Sequence, residues 1–250
     1  MCFTGRSSMT LAIIGGTGFD QLVSMENTQT HNINTIWGTP SDYIYEGLLG
    51  SKKILFLRRH GGGEKRYPPH KINYRANIAA LKILGATSVI GTAAVGGIGI
   101  DVGRILIPDQ IIDYTHSRES TFFDGGLGPL EHIDFTQPYD GELRRKIIAA
   151  ASSKSIKVIT AGTYGVTQGP RLETAAEIER LARDGCNIVG MTGMPEAALA
   201  KEKGMPYATI SVIVNPAAGL TNKELLLSDM LSVLSEAGTT CSNILKAIEN

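Results

Sequence analysis

The chain has 250 residues, 42% apolar and 19% charged, and its 24 basic side chains balance its 24 acidic ones. Zero net charge gives no electrostatic case for nucleic acid or an anionic membrane as partner. No apolar run approaches the roughly 20 residues a membrane-spanning helix needs. Cys2, Cys186 and Cys241 are odd in number and widely spaced, which fits neither a disulfide framework nor a metal cluster, and the cytoplasm follows as the default setting. The opening MCFTGRSS is too short and polar for a signal peptide. Met9 reads as a more natural start, so residues 1–9 are expected to form a disordered tail ahead of one domain over 10–250.

In chain order, Leu11–Gly15 reads as a strand. Residues 42–49 and 53–57, separated by Gly50 and Ser51, read as a hairpin. Tyr67, Pro68, Pro69 and His70 break the chain before a helix from about Asn73 to Leu84, which Gly85 stops. Ser88–Gly99 is a buried strand, rich in β-branched and small residues, that runs into glycines. Further strands are expected near 104–107 and 110–113. Arg118–Pro138 shows no periodicity and reads as a long loop, of the kind that serves as a lid or an interface. Helices are expected over 142–153, 173–183 and from Pro195 to Lys203, and strands over 157–161, 187–190 and 207–214. A long final helix carries Leu227, Met230, Leu234, Ala237, Cys241, Ile244 and Ile248 on one face, which makes Cys241 a core residue. Strands alternate with helices throughout, with no linker or repeat. The fold class is therefore α/β, a single domain with a mostly parallel central sheet flanked by helices.

Three strand ends look alike. Leu11–Gly15 runs into Gly16, Thr17 and Gly18. The strand ending near Leu57 runs into Arg58, Arg59, His60 and three glycines. The central strand carries Thr92 among Ala93, Ala94, Gly96 and Gly97. Hydroxyls, a guanidinium, an imidazole and backbone N–H groups gathered at strand ends make an anion site, most simply for phosphate. The alternative is three ordinary strand-to-helix turns. The dinucleotide-binding fingerprint is not met, because its third glycine falls on Gln21. No G-K-[ST], H-E-x-x-H or G-x-S-x-G motif occurs, which removes the common P-loop, zinc and serine-hydrolase readings.

Seven motifs occur in order: IIGGTG at 13–18, RRHGGG at 58–63, PPHKINYRANI at 68–78, GTAAVGG at 91–97, QGPRLET at 168–174, GMTGMPEAALAKE at 190–202 and a strand ending in Asn215. Together they resemble the trimeric purine nucleoside phosphorylases, most closely the methylthioadenosine phosphorylase branch, from Leu11 to about Gly219. The resemblance implies transfer of a nucleoside's sugar to inorganic phosphate by a homotrimer, without cofactor or metal. It implies phosphate contacts from Thr17, Arg59, His60, Thr92, Ala93 and Thr192, with Arg59 gripping the anion bidentately. It places Met191 on the ribose and His132 near the 5′ group of a neighbouring subunit's substrate; His132 could equally be a surface-loop histidine. Leu172 stands where the family often has phenylalanine against the base.

Glu173 either accepts a proton from purine N1 or simply occupies the first turn of a helix. Asn215 and Ala217 replace the two aspartates of the adenine-specific branch. An amide can donate to N7 or O6 of a leaving 6-oxopurine, so Asn215, with Arg59 and His60, is expected to carry catalysis. Asn215 could otherwise just shape the turn before Pro216. The expected reaction is phosphorolysis of a 6-oxopurine nucleoside, preferably 5′-methylthioinosine. The alternatives are a methylthioadenosine phosphorylase, a general inosine/guanosine phosphorylase, and a protein that binds nucleoside without turnover.

Overall fold

The computed structural model describes residues 10–19, 25–125, 131–221 and 226–249. The expected tail at 1–9, Cys2 and Gln21 lie outside these, as does the side chain of Leu227. Ten strands and five helices are seen among the described residues: β1 Leu11–Gly15, β2 Glu26–His31, β3 Ile44–Leu49, β4 Lys52–Arg58, α1 Tyr74–Ile83, β5 Ser88–Gly97, β6 Ile105–Leu106, β7 Gln110–Asp113, α2 Gly141–Ser153, β8 Thr163–Val166, α3 Ala175–Arg183, β9 Ile188–Gly190, α4 Gly193–Glu202, β10 Tyr207–Pro216 and α5 Leu227–Ala247.

The sheet runs β2-β3-β4-β1-β5-β9-β8-β7, with β10 on β5 and β6 on β10. Its centre is parallel: β1 pairs with β4 and β5, and β10 with β5. The β3–β4 hairpin, β2 and β6 are antiparallel additions. Period-2 alternation sends each central strand into two cores. Ala12, Ile14, Leu55 and Leu57 pack with Ile78 and Leu81 of α1 and Ala197, Leu199 and Ala200 of α4. Leu11, Ile13, Ile54 and Phe56 pack on the other face with Leu143 and Ile147 of α2 and Leu234, Cys241 and Ile244 of α5. A sheet covered on both faces needs the near-continuous apolar strands this chain has. Each fully buried Leu or Ile contributes about 1.5–3 kcal/mol. Cys241 is a core residue as expected, and burial pushes its thiol up to about 12.

One detail of register creates the site. β1 pairs with Ser88–Gly91 of β5, while β9 arrives antiparallel at Gly96 and Gly97. Because β10 occupies the other edge of β5 along its length, β1 and β9 share one edge, approached from opposite ends. Between them the edge of β5 from Thr92 to Val95 has no strand partner among the described residues, and a cleft opens there.

Two elements differ from expectation. The strand expected at 157–161 is reduced to one bridge, Ile159 with Leu106, and the sheet strand is β8, four residues further on. Its sequence Thr-Tyr-Gly-Val is short and broken by Gly165. β2 was not anticipated: its six residues, ENTQTH, are polar and almost wholly exposed, so only backbone pairing with β3 defines it. The loop after Arg118 is irregular wherever it is described.

Candidate active site

The cleft beside β5 is a cavity of about 310 Å³. Its walls include Thr17, Arg59, His60, Ala93, Leu172, Glu173, Met191, Thr192, Asn215 and Ala217, ten of the twelve residues singled out from the sequence. Nine of these come from five strand ends and the loops that follow them, and Ala93 lies within β5. A larger open cavity of about 760 Å³, lined by Arg58, Arg66 and Tyr67, shares Gly16, Thr17, His60, Leu231 and Leu234 with it. Leu231 and Leu234 of α5 therefore belong with Thr17 and His60 at one end. Glu173 also borders a third cavity with Thr167 and Gln168, and marks the other end.

Arg59 departs from its expected geometry. It is 1% exposed and forks onto Glu196, with Nε to Oε2 and Nη2 to Oε1 both at 2.7 Å. Nη1 donates to the Thr92 carbonyl at 2.7 Å and Nη2 to the Ile14 carbonyl at 3.3 Å. Of a guanidinium's five N–H groups, this leaves one Nη1–H for the cavity. A bidentate grip on phosphate is thus ruled out in this arrangement, because Glu196 has the fork. Burial works against the charge, but the paired carboxylate outweighs it and holds the guanidinium firmly protonated. The Tyr207 hydroxyl also donates to Glu196 Oε1 at 2.8 Å. Gly91 makes room for this network: a Cβ there would collide with the Tyr207 hydroxyl and lie 2.9 Å from Glu196 Oε1.

Thr92 is likewise committed. The residue is 1% exposed, and its hydroxyl accepts from the Gly16 N–H at 3.1 Å and reaches the Ile14 carbonyl at 3.5 Å. It fixes the turn that presents Thr17, and it does not line the cavity. Gly16 itself has no room for a side chain, since a Cβ would lie 2.7 Å from the Thr92 carbonyl. Thr17 is exposed at the cleft mouth, and Thr192 is buried at the start of α4 without capping it. His132 is exposed in its loop and lines none of these three cavities; Pro129, in the same loop, lies outside the described residues.

His60 Nδ1 lies 2.9 Å from the Tyr67 carbonyl. A carbonyl only accepts, so Nδ1 carries the proton and Nε2 is left for a ligand. Burial pushes the imidazole below its ordinary value of 6.5, the Tyr67 carbonyl pulling the other way. With the folded value below the unfolded one, the stabilisation is complete above pH 6.5 and is lost as pH falls through the depressed value. Urea midpoints measured from about pH 7.5 down to about pH 5 should fall more steeply for the wild type than for His60→Gln. Parallel slopes would contradict this environment for His60.

At the base end, Asn215 Nδ2 donates to the Pro216 carbonyl at 2.6 Å. This fixes the amide: nitrogen must face that carbonyl, and the second Nδ2 hydrogen and Oδ1 remain for a ligand. Gly96 lets the amide approach β5, for a Cβ there would lie 3.4 Å from Asn215 Nδ2 and 3.1 Å from Val189. Glu173 is not in the first turn of a helix. Thr174 is the N-cap of α3, in a reciprocal capping box with Glu177, so Glu173 precedes the cap, outside the helix. Arg171 is occupied with Glu177 and, together with the capping contacts, draws that carboxylate down to about 2. Leu172 stands 45% exposed beside Glu173.

Some contributors carried no sequence signal. Arg118 donates to the carbonyls of Thr167, Gln168, Met191 and Met194 at 2.6–3.2 Å. It ties the segment before Glu173 to the one bearing Met191 and Thr192. Met230 and Leu231 of α5 line the cleft, as do Pro69, Val189 and Val214. Among the described residues, no group of three His, Cys, Asp or Glu side chains could hold a metal ion, and no helix is long and apolar enough to cross a membrane.

The cleft gathers, at the strand ends of an α/β sheet, hydroxyl, imidazole and guanidinium donors together with an amide and a carboxylate. The sequence matches the phosphorylase superfamily over residues 10–249, and the chain belongs to that family. It is 49% identical over 236 residues to a probable S-methyl-5′-thioinosine phosphorylase of Xanthomonas campestris pv. campestris, covering 93% of this chain and 94% of that one. It is 43% identical over 233 residues to the 6-oxopurine nucleoside phosphorylase of Pyrococcus furiosus, covering 90% and 86%. Methylthioadenosine phosphorylase from Schistosoma mansoni, solved with adenine, superposes with a TM-score of 0.91 at 30% identity, covering 96% of this chain and 90% of that one.

Proposed function

We propose that this enzyme cleaves 6-oxopurine nucleosides with inorganic phosphate, that 5′-methylthioinosine is its preferred substrate, and that the products are hypoxanthine and 5-methylthioribose 1-phosphate. The observation that carries the reading is that Asn215 and Glu173 line the same cavity. Hypoxanthine offers acceptors at N7 and O6 and a donor at N1. The free Nδ2 hydrogen of Asn215 serves the acceptors, and the Glu173 carboxylate serves N1–H. Adenine inverts the pattern at positions 1 and 6. The names carried by the Xanthomonas and Pyrococcus relatives support the same substrate class.

In the reaction the C1′–N9 bond breaks and its electron pair passes into the purine. Positive charge grows on the ribose, and a phosphate oxygen forms the new bond to C1′. Phosphate held by Thr17, His60, the last Nη1–H of Arg59, the Ala93 segment and Thr192 stabilises the sugar cation and then attacks. Phosphate is already anionic, so no general base, metal or organic cofactor enters this scheme. Met191 packs on the ribose face. Pro69, Met230, Leu231 and Leu234 give the cleft an apolar side, which suits a methylthio group better than a hydroxyl. A buried hydroxyl without a partner costs about 1–3 kcal/mol. We infer a homotrimer, in which the exposed His132 reaches the neighbouring subunit's 5′ pocket, and a cytoplasmic location.

The test is release of free base from inosine, adenosine and their 5′-methylthio derivatives, with and without phosphate. Phosphate-dependent turnover with the highest kcat/KM on methylthioinosine is expected. Equal efficiency on inosine would remove the apolar 5′ pocket, and no turnover at saturating phosphate would point to a binding protein. A fully active monomer in sedimentation would remove the role of His132.

A further inference from the structure

Glu173 is the carboxylate on which base reading depends in the proposal above, and Thr167 is the described residue that hydrogen-bonds to it. The Thr167 hydroxyl lies 2.5 Å from Glu173 Oε1 and 3.3 Å from the Gly190 carbonyl. A hydroxyl has one proton, and the shorter, charge-assisted bond takes it. The Gly190 carbonyl is already served by the Thr167 backbone N–H at 2.8 Å, so the hydroxyl is free to turn to the carboxylate.

Thr167 is itself rigidly held. It follows directly on β8, whose Val166 is in register with Gly190 of β9. Its own carbonyl accepts from Arg118 Nη2 at 3.2 Å. Glu173, by contrast, sits before the cap of α3 and has no helical backbone to fix it. Arg171, two residues before it, is committed to Glu177 at 2.7 and 2.8 Å. Without Thr167 the carboxylate would be an unrestrained side chain between two cavities, both of which it lines.

We propose that Thr167 is a positioning residue that sets purine specificity: its hydroxyl pins one oxygen of Glu173 and leaves the other to accept from purine N1–H. The proposal rests on the base-reading role of Glu173 given above. A pinned carboxylate presents a fixed acceptor to a 6-oxopurine and a fixed repulsion to the N1 lone pair of a 6-aminopurine. Discrimination between the two bases then depends on Thr167, though it touches neither. Pre-organisation of this kind acts on the orientation of the reacting complex, where a misplacement of about 1 Å can cost on the order of 100-fold.

The experiment is kcat and KM for methylthioinosine, methylthioadenosine and phosphate in Thr167→Val, Thr167→Ser, Glu173→Gln and the Thr167→Val/Glu173→Gln double variant. Valine keeps the volume and removes only the hydroxyl, and serine keeps the hydroxyl. Thr167→Val should lose about 10- to 100-fold in kcat/KM on methylthioinosine, with the phosphate KM unchanged and methylthioadenosine little affected. Thr167→Ser should restore most of it. The double variant should be no worse than Glu173→Gln alone, because the hydroxyl acts through the carboxylate. Additive losses, or Thr167→Val falling equally on both nucleosides and on phosphate, would overturn the proposal as a general structural effect. Wild-type kinetics in Thr167→Val beside an impaired Glu173→Gln would overturn it while leaving the base reading intact. Wild-type selectivity in Glu173→Gln would instead overturn the base reading. Should Thr167→Val not fold, loss of hypoxanthine affinity in Thr167→Ala against Thr167→Ser decides between the same outcomes.

Discussion

Arg59→Ala is expected to lower the unfolding free energy by about 3–5 kcal/mol, the cost of leaving a buried charge without its partner. The charge left behind is Glu196, whose side chain is 0% exposed. The Tyr207 hydroxyl, already bonded to it, cannot replace a guanidinium fork. The two carbonyls that Arg59 serves, at Thr92 and Ile14, lose a donor as well. The pair is too buried for salt to screen, so the loss should persist at high ionic strength in urea denaturation. Arg59→Met/Glu196→Met removes both charges and should recover much of the stability, since replacing a whole buried pair with apolar groups is often close to neutral. The double variant also isolates the binding role. With one Nη1–H left for ligand, Arg59 is expected to contribute one charge-assisted bond to phosphate, about 1.5–3 kcal/mol. The double variant should therefore be stable and still bind phosphate more weakly, by roughly 10- to 100-fold. Phosphate affinity equal to wild type would make Arg59 purely a framework residue. Arg59→Ala with unchanged stability would contradict the buried fork itself.

Arg59 shows where reading from sequence stops. Its place at a strand end marked it as anion-facing, and it does line the cleft. What the linear order could not supply was Glu196, 137 residues away, inside the helix-forming run MPEAALAKE. A glutamate there reads as an exposed helix residue until α4 is docked against β5. The bonds of the Thr92 hydroxyl were illegible for a related reason: its position on β5 is as expected, but the contact with Gly16 depends on the β1–β5 register. By contrast, elements with strong local periodicity were legible. β1, the β3–β4 hairpin, α1, α2 and α5 fall within a residue or two of their expected bounds. β2 and β8 were not, because one is polar and the other is four residues long with a glycine inside. The cleft is legible only in part, since its strand-end residues belong to motifs, whereas Arg118, Thr167 and Leu231 owe their roles to packing alone.

Asn215→Asp is expected to lower kcat/KM for methylthioinosine by about 100- to 1000-fold, the usual cost of losing one pre-organised donor to a developing negative charge. The amide has one hydrogen on Pro216 and one left for a ligand. An ionised aspartate has neither. It would place an acceptor against O6 and N7, both acceptors themselves, and would face the Pro216 carbonyl at the distance where Nδ2 now donates. A 6-aminopurine suffers less, because its amino group can donate to the carboxylate, so selectivity should move toward methylthioadenosine even as absolute rates fall. Sites built on such polar contacts discriminate by up to about 10⁴-fold when the wrong partner leaves groups unpaired. The companion change, Ala217→Asp, is less clean than the motif comparison implies. Ala217 is 1% exposed and packs with Ile98, Ile178, Leu181 and Val189. A carboxylate at that position must leave this cluster for the cavity or be buried without a partner, at several kcal/mol. The double variant should therefore be markedly less stable than Asn215→Asp, and its selectivity must be read as a ratio of kcat/KM values on the folded fraction. A shift in that ratio toward methylthioadenosine in Asn215→Asp alone locates the 6-position reader in the amide. An unchanged ratio with a uniform loss on both substrates would instead reduce Asn215 to a residue that shapes the turn into Pro216, and would leave base selection to Glu173.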